Sequence, residues 1–111
     1  MKALRPTVLM VLITTSNRRE AGRIAEALVT NKLAACANLV TPVTSVFRWK
    51  GRVEKSREAL LIVKTTVRRY PALERCVRSM HSYEVPEIIA LPVQQGLRQY
   101  LEWVKKETAT H

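Results

Sequence analysis

The chain has 111 residues, 47% of them hydrophobic and 25% charged, with three glycines and five prolines. That is enough for one domain with its own core, and too little glycine and proline for a disordered or fibrous protein. Nineteen lysines and arginines against nine acidic residues leave a formal charge of +10, which bears on solubility and anionic partners rather than on fold.

The basic residues recur in almost every segment, from Arg18, Arg19 and Arg23 through Arg48, Lys50 and Arg52 to Arg68, Arg69, Arg75 and Arg78. No recognition motif accompanies them, so nucleic acid is the least favoured partner class. Lys2 and Arg5 precede an apolar run, Val8 to Ile13, that is shorter than a secretory core and has no small-residue cleavage site after it. No stretch is long enough to span a membrane. Cys36 and Cys76 stand apart in apolar contexts, which reads as two buried free thiols in a reducing, cytoplasmic setting.

Taken in chain order, Val8 to Thr14 is a continuous apolar run that suits a strand buried on both faces, or a central one. Asn17 with Glu20 three residues on resembles a capping box. Ala21, Ile24, Ala25, Leu28 and Val29 follow helical spacing, which predicts a helix over 18–31. Residues 34–49 read as one long strand, kinked or bulged near Pro42. Lys50-Gly51 is a hairpin turn. Arg52 to Arg57 should project beyond the core, and Glu58 to Thr66 returns as a strand. Tyr70-Pro71 opens a second helix with Pro71 at the first helical position, and Leu73, Cys76, Val77 and Met80 mark its buried stripe. Ile88 to Val93 is a strand at an edge or ending early, because Pro92 removes a ladder donor. Gln94-Gln95-Gly96 breaks the chain. Leu97, Tyr100, Leu101 and Val104 give a third helix, with Tyr100 and Trp103 as packing residues and Lys105 and Lys106 complementing its dipole.

The order β-α-β-β-α-β plus a terminal helix predicts an α+β fold, a ferredoxin-like sandwich formed by residues 1–111 as one domain. The hairpin of residues 34–66 is longer than a small sheet requires, since strands average about 5–6 residues. Unpaired edges of that length are expected to be paired between subunits of a closed oligomer.

The chemistry-bearing stretch is His81-Ser82-Tyr83-Glu84-Val85-Pro86-Glu87, an imidazole, a phenol and two carboxylates on a proline-stiffened loop that enters a strand. His81, Glu84 and Glu87 are the candidate metal ligands, since imidazole suits Cu2+, Zn2+ and Ni2+ and carboxylates can complete such sites. The competing reading makes His81 a cap on the second helix, with the glutamates paired to arginines. Lys64, an unexpected cation on an apolar strand, is placed with Trp49 and Tyr83 in a cleft between subunits, with Glu87 or Glu58 as its partner. No phosphate loop, nucleophile elbow or HExxH is present, so no enzyme is expected.

The segments Asn31-Lys32-Leu33-Ala34-Ala35-Cys36-Ala37-Asn38, Ser45 to Arg52, Glu58 to Thr65, His81 to Ile88 and Gly96 to Trp103 stand in an order that resembles the CutA divalent-cation tolerance family, from Val8 to about Val104. The resemblance implies a ferredoxin-like fold assembled as a trimer, like that of the PII signalling proteins, and an association with divalent cations, chiefly copper, without catalytic turnover. It departs from the family pattern at Ser82, where proline is usual, which predicts a looser loop. It departs again at Ile13, where some bacterial members carry a cysteine thought to help hold copper. The leading expectation is a cytoplasmic homotrimer that binds Cu2+ weakly. The alternative is a PII-like regulatory or scaffold trimer that takes a small anion or a partner protein in its intersubunit clefts.

Overall fold

The computed structural model describes residues 7–110; the Lys2 and Arg5 reading lies outside them. The elements are β1 (Val8–Thr15), α1 (Arg18–Thr30), β2 (Cys36–Trp49), β3 (Arg52–Thr66), α2 (Tyr70–Met80), β4 (Ile88–Pro92) and α3 (Arg98–Glu107). They form an α+β fold around one four-stranded sheet in the order β2-β3-β1-β4, antiparallel throughout. The apolar run of β1 does occupy a central position, paired on both sides. Pro92 closes β4 at the sheet edge, where a missing donor costs no ladder bond.

Side chains alternate between sheet faces. Val11 and Ile13 on β1 stand opposite Val63 and Leu61 on β3. Together with Ala21, Ile24 and Leu28 of α1 and Leu73 and Val77 of α2 they are fully buried in one core. Each large aliphatic side chain removed from water here contributes roughly 1.5–3 kcal/mol. The other sheet face is different. Met10, Leu12, Leu60 and Ile62 are half-buried, and Val40, Ile89 and Leu91 keep 43%, 50% and 41% of their surface exposed. α3 covers only one end of it, where Val104 packs with Val8 and Ala35. An apolar sheet face is thus left largely open within one chain.

α3 does not use its aromatics as the sequence suggests. Leu101 and Val104 pack inward, whereas Tyr100 and Trp103 stay 38% and 41% exposed and lie against each other with ring centroids 5.6 Å apart. At helical spacing, Leu101 and Val104 share the stripe aimed at the sheet, and the two aromatics fall beside it. Cys36 and Cys76 are free and half-buried rather than fully buried.

β1 pairs with β3 only from Ala59 to Thr66. Residues 43–58 therefore continue as a two-stranded arm, set off by a bulge between Val40 and Val43. Lys50 and Gly51 close the arm with φ of 50° and 78°, the two positive values that the tight hairpin turn requires.

The end of α1 carries a strained residue. Lys32 N–H bonds Val29 O, Leu33 N–H bonds Leu28 O, and Lys32 sits at φ 57°. This is the double-bonded helix stop that normally places glycine in the left-handed position. A side chain there costs about 1 kcal/mol. Lys32→Gly is therefore expected to raise stability by up to about 1 kcal/mol, read by urea denaturation; a loss would mean that the lysine side chain makes a compensating contact.

Candidate functional site

The loop from α2 to β4 is fixed from three sides. His81 follows α2, and its N–H bonds Val77 O at 2.9 Å. Its side chain is 0% exposed. Nε2 lies 2.7 Å from Thr14 O, and Nδ1 accepts the Tyr83 N–H at 3.1 Å. A carbonyl can only accept and an amide N–H can only donate, so this pair of partners places the imidazole proton on Nε2. Both ring nitrogens are then engaged.

Tyr83 turns its hydroxyl onto β3, donating to Glu58 Oε2 at 2.5 Å. Burial, and then this bond to a carboxylate, push the phenol well above its ordinary pKa. Glu58 itself is buried.

Glu20 supplies the third tie. Asn17 Oδ1 accepts the Glu20 N–H at 2.8 Å, which is half of the expected capping box. The carboxylate reaches one residue further back than that motif predicts. Its Oε1 accepts from Ser16 N–H and Ser16 Oγ, each at 2.9 Å, and its Oε2 accepts from Ser82 N–H at 2.6 Å. Burial by itself would raise the pKa of this group, but the donors from Ser16 and Ser82 outweigh it and hold Glu20 at about 2. The expectation of a loose loop is corrected here. Proline at position 82 would have no N–H to donate, whereas Ser82 bonds a buried anion and ties the loop to the start of α1.

Beside this loop, between it and the arm, lies an open cavity of about 930 Å3. Phe47, Trp49 and Tyr83 supply aromatic surface, and Glu54, Glu58, Glu84 and Glu87 supply carboxylates, with Lys55 the one cation. All nine acidic residues of the chain are glutamates, and four of them meet here. The site of a small anion is poorly served by this lining, because the carboxylates repel it.

The structure thus brings Glu84, Glu87, Trp49 and Tyr83 to one cavity and leaves out His81 and Lys64. His81 lies behind the wall, bonded to the backbone. Lys64 donates from Nζ to Asn38 Oδ1, an amide rather than the expected carboxylate of Glu87 or Glu58. The reason is its place along the strand. Thr14, on the cavity wall, stands opposite Leu60, whereas Lys64 pairs with Met10, four residues further along, about 13 Å away at strand spacing. Ile13, the position at which some bacterial CutA proteins carry a cysteine, points into the helix-covered core with no exposure. Among the described residues, no three His, Cys, Asp or Glu side chains gather as a metal-binding group. Glu54 escaped the sequence reading, and Glu58 entered it only as a possible partner of Lys64, since only the hairpin register turns both toward the loop. Glu20 was visible as a helix cap, but not as the anchor of a loop 62 residues away.

The protein-family model described as "CutA1 divalent ion tolerance protein" matches residues 9–107. This chain belongs to the CutA family. It is 48% identical over 99 residues to the divalent-cation tolerance protein CutA of Thermus thermophilus, covering 89% of this chain and 96% of that one. It is 46% identical over 102 residues to human CutA, covering 92% of this chain but only 57% of the human protein. The solved Thermus thermophilus structure, a divalent cation tolerance protein, aligns with a TM-score of 0.90 at 46% identity, over 92% of this chain and 99% of that one. CutA1 from Shewanella aligns at 0.92 with 38% identity, over 96% and 100%. A relative from Archaeoglobus fulgidus, TM-score 0.88 at 37% identity over 92% and 99%, is called a periplasmic divalent cation tolerance protein. In this CutA chain no helix among the described residues is long and apolar enough to cross a membrane.

Proposed function

We propose that this CutA protein is a single-domain, ferredoxin-like homotrimer that acts in the tolerance of divalent cations by binding them weakly, without catalytic turnover. The family match supports the cation reading. The observation that carries it to particular residues is that Glu54, Glu58, Glu84 and Glu87 all line one cavity of a strongly basic chain. Glu84 and Glu87 are exposed on the loop and are the ligands of first choice. His81 joins them only if it gives up a backbone bond, so the donor set is chiefly oxygen. On such a set Cu2+ still ranks first among first-row divalent ions, by the usual stability order.

The trimer reading is supported by the open apolar face around Leu12, Ile62 and Leu91 and by the free outer edges of β2 and β4. Faces and edges of this kind are normally covered by another chain. The two free cysteines support a reducing, cytoplasmic location.

The test is calorimetric titration of metal-stripped protein with Cu2+, beside the Glu84→Gln/Glu87→Gln variant. Saturable binding that weakens at least about tenfold in the variant is expected, as for loss of two charged ligands. Binding that is absent in the wild type, or equal in both proteins, would overturn the cavity as the cation site.

A further inference from the structure

The sequence spreads its cations along the chain, but the fold gathers many of them. α1 and α2 lie side by side and bury their apolar stripes in the same core. Their solvent sides therefore make one surface. Arg19, Arg23, Lys32, Arg68, Arg75 and Arg78 are all exposed on it. Arg69 Nε donates to Lys32 O at 3.2 Å, which joins the end of α1 to the start of α2.

Little negative charge opposes them. Of the carboxylates on these two helices, Glu20 is buried, Glu74 accepts from Tyr70 Oη at 2.9 Å, and only Glu26 stands exposed. The one ion pair of a lysine or arginine with a carboxylate among the described residues is Lys105–Glu102, so none of these arginines is neutralised by a carboxylate. Unpaired cations held at close range repel one another, and the arrangement fits a ligand that supplies many anionic groups at once.

We propose that the outer surface of α1 and α2 docks a nucleic-acid duplex through its phosphates, without reading base sequence. The cations are arginine with a single lysine, and the guanidinium fork suits phosphate oxygens bidentately. The exposed aromatics, Phe47, Trp49, Tyr100 and Trp103, lie on the arm and α3, so this surface has no platform for stacking bases. An anionic membrane fits less well, because a membrane-surface helix needs apolar side chains to insert. The large exposed hydrophobics on α1, α2 and their flanks are only Val29 and Val67. α1, with 13 residues, is about 20 Å long, over which a duplex presents roughly a dozen phosphates. The surface is separate from the carboxylate cavity and does not depend on its reading.

The test is fluorescence anisotropy of a labelled 20-base-pair duplex with the full chain, from 50 to 200 mM NaCl. Saturable binding, equal for unrelated sequences, is expected to fall about 100-fold across that range, as for about four phosphate contacts. Arg19→Gln/Arg23→Gln/Arg75→Gln/Arg78→Gln should lose at least about tenfold at the lowest salt and flatten the salt dependence. Arg48→Gln/Lys50→Gln/Arg52→Gln/Arg57→Gln removes the same charge from the arm and should bind nearly as wild type. If the first variant does not fold, Arg23→Glu and Arg75→Glu carry the same comparison singly. Equal loss in the helix and arm variants would reduce the effect to net charge and overturn the proposal. Absence of binding at 50 mM would overturn it, as would binding to phosphatidylserine vesicles but not to the duplex.

Discussion

Replacing His81 with alanine is expected to destabilise the protein by about 3 kcal/mol and to leave its affinity for Cu2+ unchanged. The imidazole is fully enclosed and holds Thr14 O with one nitrogen and the Tyr83 N–H with the other. Alanine removes both partners and leaves a part-buried acceptor and a part-buried donor without them. Each such group costs roughly 1–3 kcal/mol, and the lost ring volume adds to it. Metal affinity should not follow, because a nitrogen whose lone pair already accepts an N–H, or which carries its own proton, cannot also ligate. Urea denaturation at fixed protein concentration, beside Cu2+ calorimetry, separates the two roles. Unchanged stability with lost Cu2+ binding would return His81 to the metal ligands and move the cation site from the cavity to the loop.

How far His81 could be understood from sequence illustrates a general limit. Its residue type and its place before Tyr83 and Glu84 single it out, and the nearby proline does place it on a loop. What decides its role is the backbone carbonyl of Thr14, 67 residues earlier. Local patterns cannot supply that, because it depends on β1 and β4 pairing in one register. The same distinction runs through the molecule. β1, α1, the hairpin and α2 follow from apolar periodicity, caps and Lys50-Gly51, all of which act within a few residues. The arm's bulge lies where Pro42 predicts it. The bond of Lys64 to Asn38 was not legible because strand alternation gives the face of a residue but not which neighbour along the strand is near. The grouping of the arginines on the helix layer was missed for a related reason. They are distributed in sequence and become one surface only when α1 and α2 are laid side by side.

The second large effect concerns pH and Glu20. Its folded pKa of about 2 lies below the ordinary 4.5, so the folded state holds the ionised form better than the unfolded chain does. For a carboxylate shifted in this direction, the stabilisation is complete above the unfolded pKa. It declines as pH falls through 4.5 and is gone once the folded group protonates near 2. A displacement of that size corresponds to on the order of 3 kcal/mol. The physical source is specific: protonating Oε1 or Oε2 weakens the bonds from Ser16 and Ser82 that tie the α2–β4 loop to α1. Denaturation of wild type and Glu20→Gln between pH 2 and 7 isolates this group from the other glutamates. The gap between the two proteins should be widest at neutral pH and shrink by about 3 kcal/mol toward pH 2. A gap that stays constant would mean that Glu20 acts through packing rather than charge. Ser82→Pro offers a second view of the same bond. His81 already has the extended backbone that precedes proline, with φ −77° and ψ 139°. The residue before position 82 thus already suits proline, and the change deletes the backbone donor to Glu20. The pH-dependent part of the stability should then shrink without disappearing, because Ser16 still supplies its two bonds.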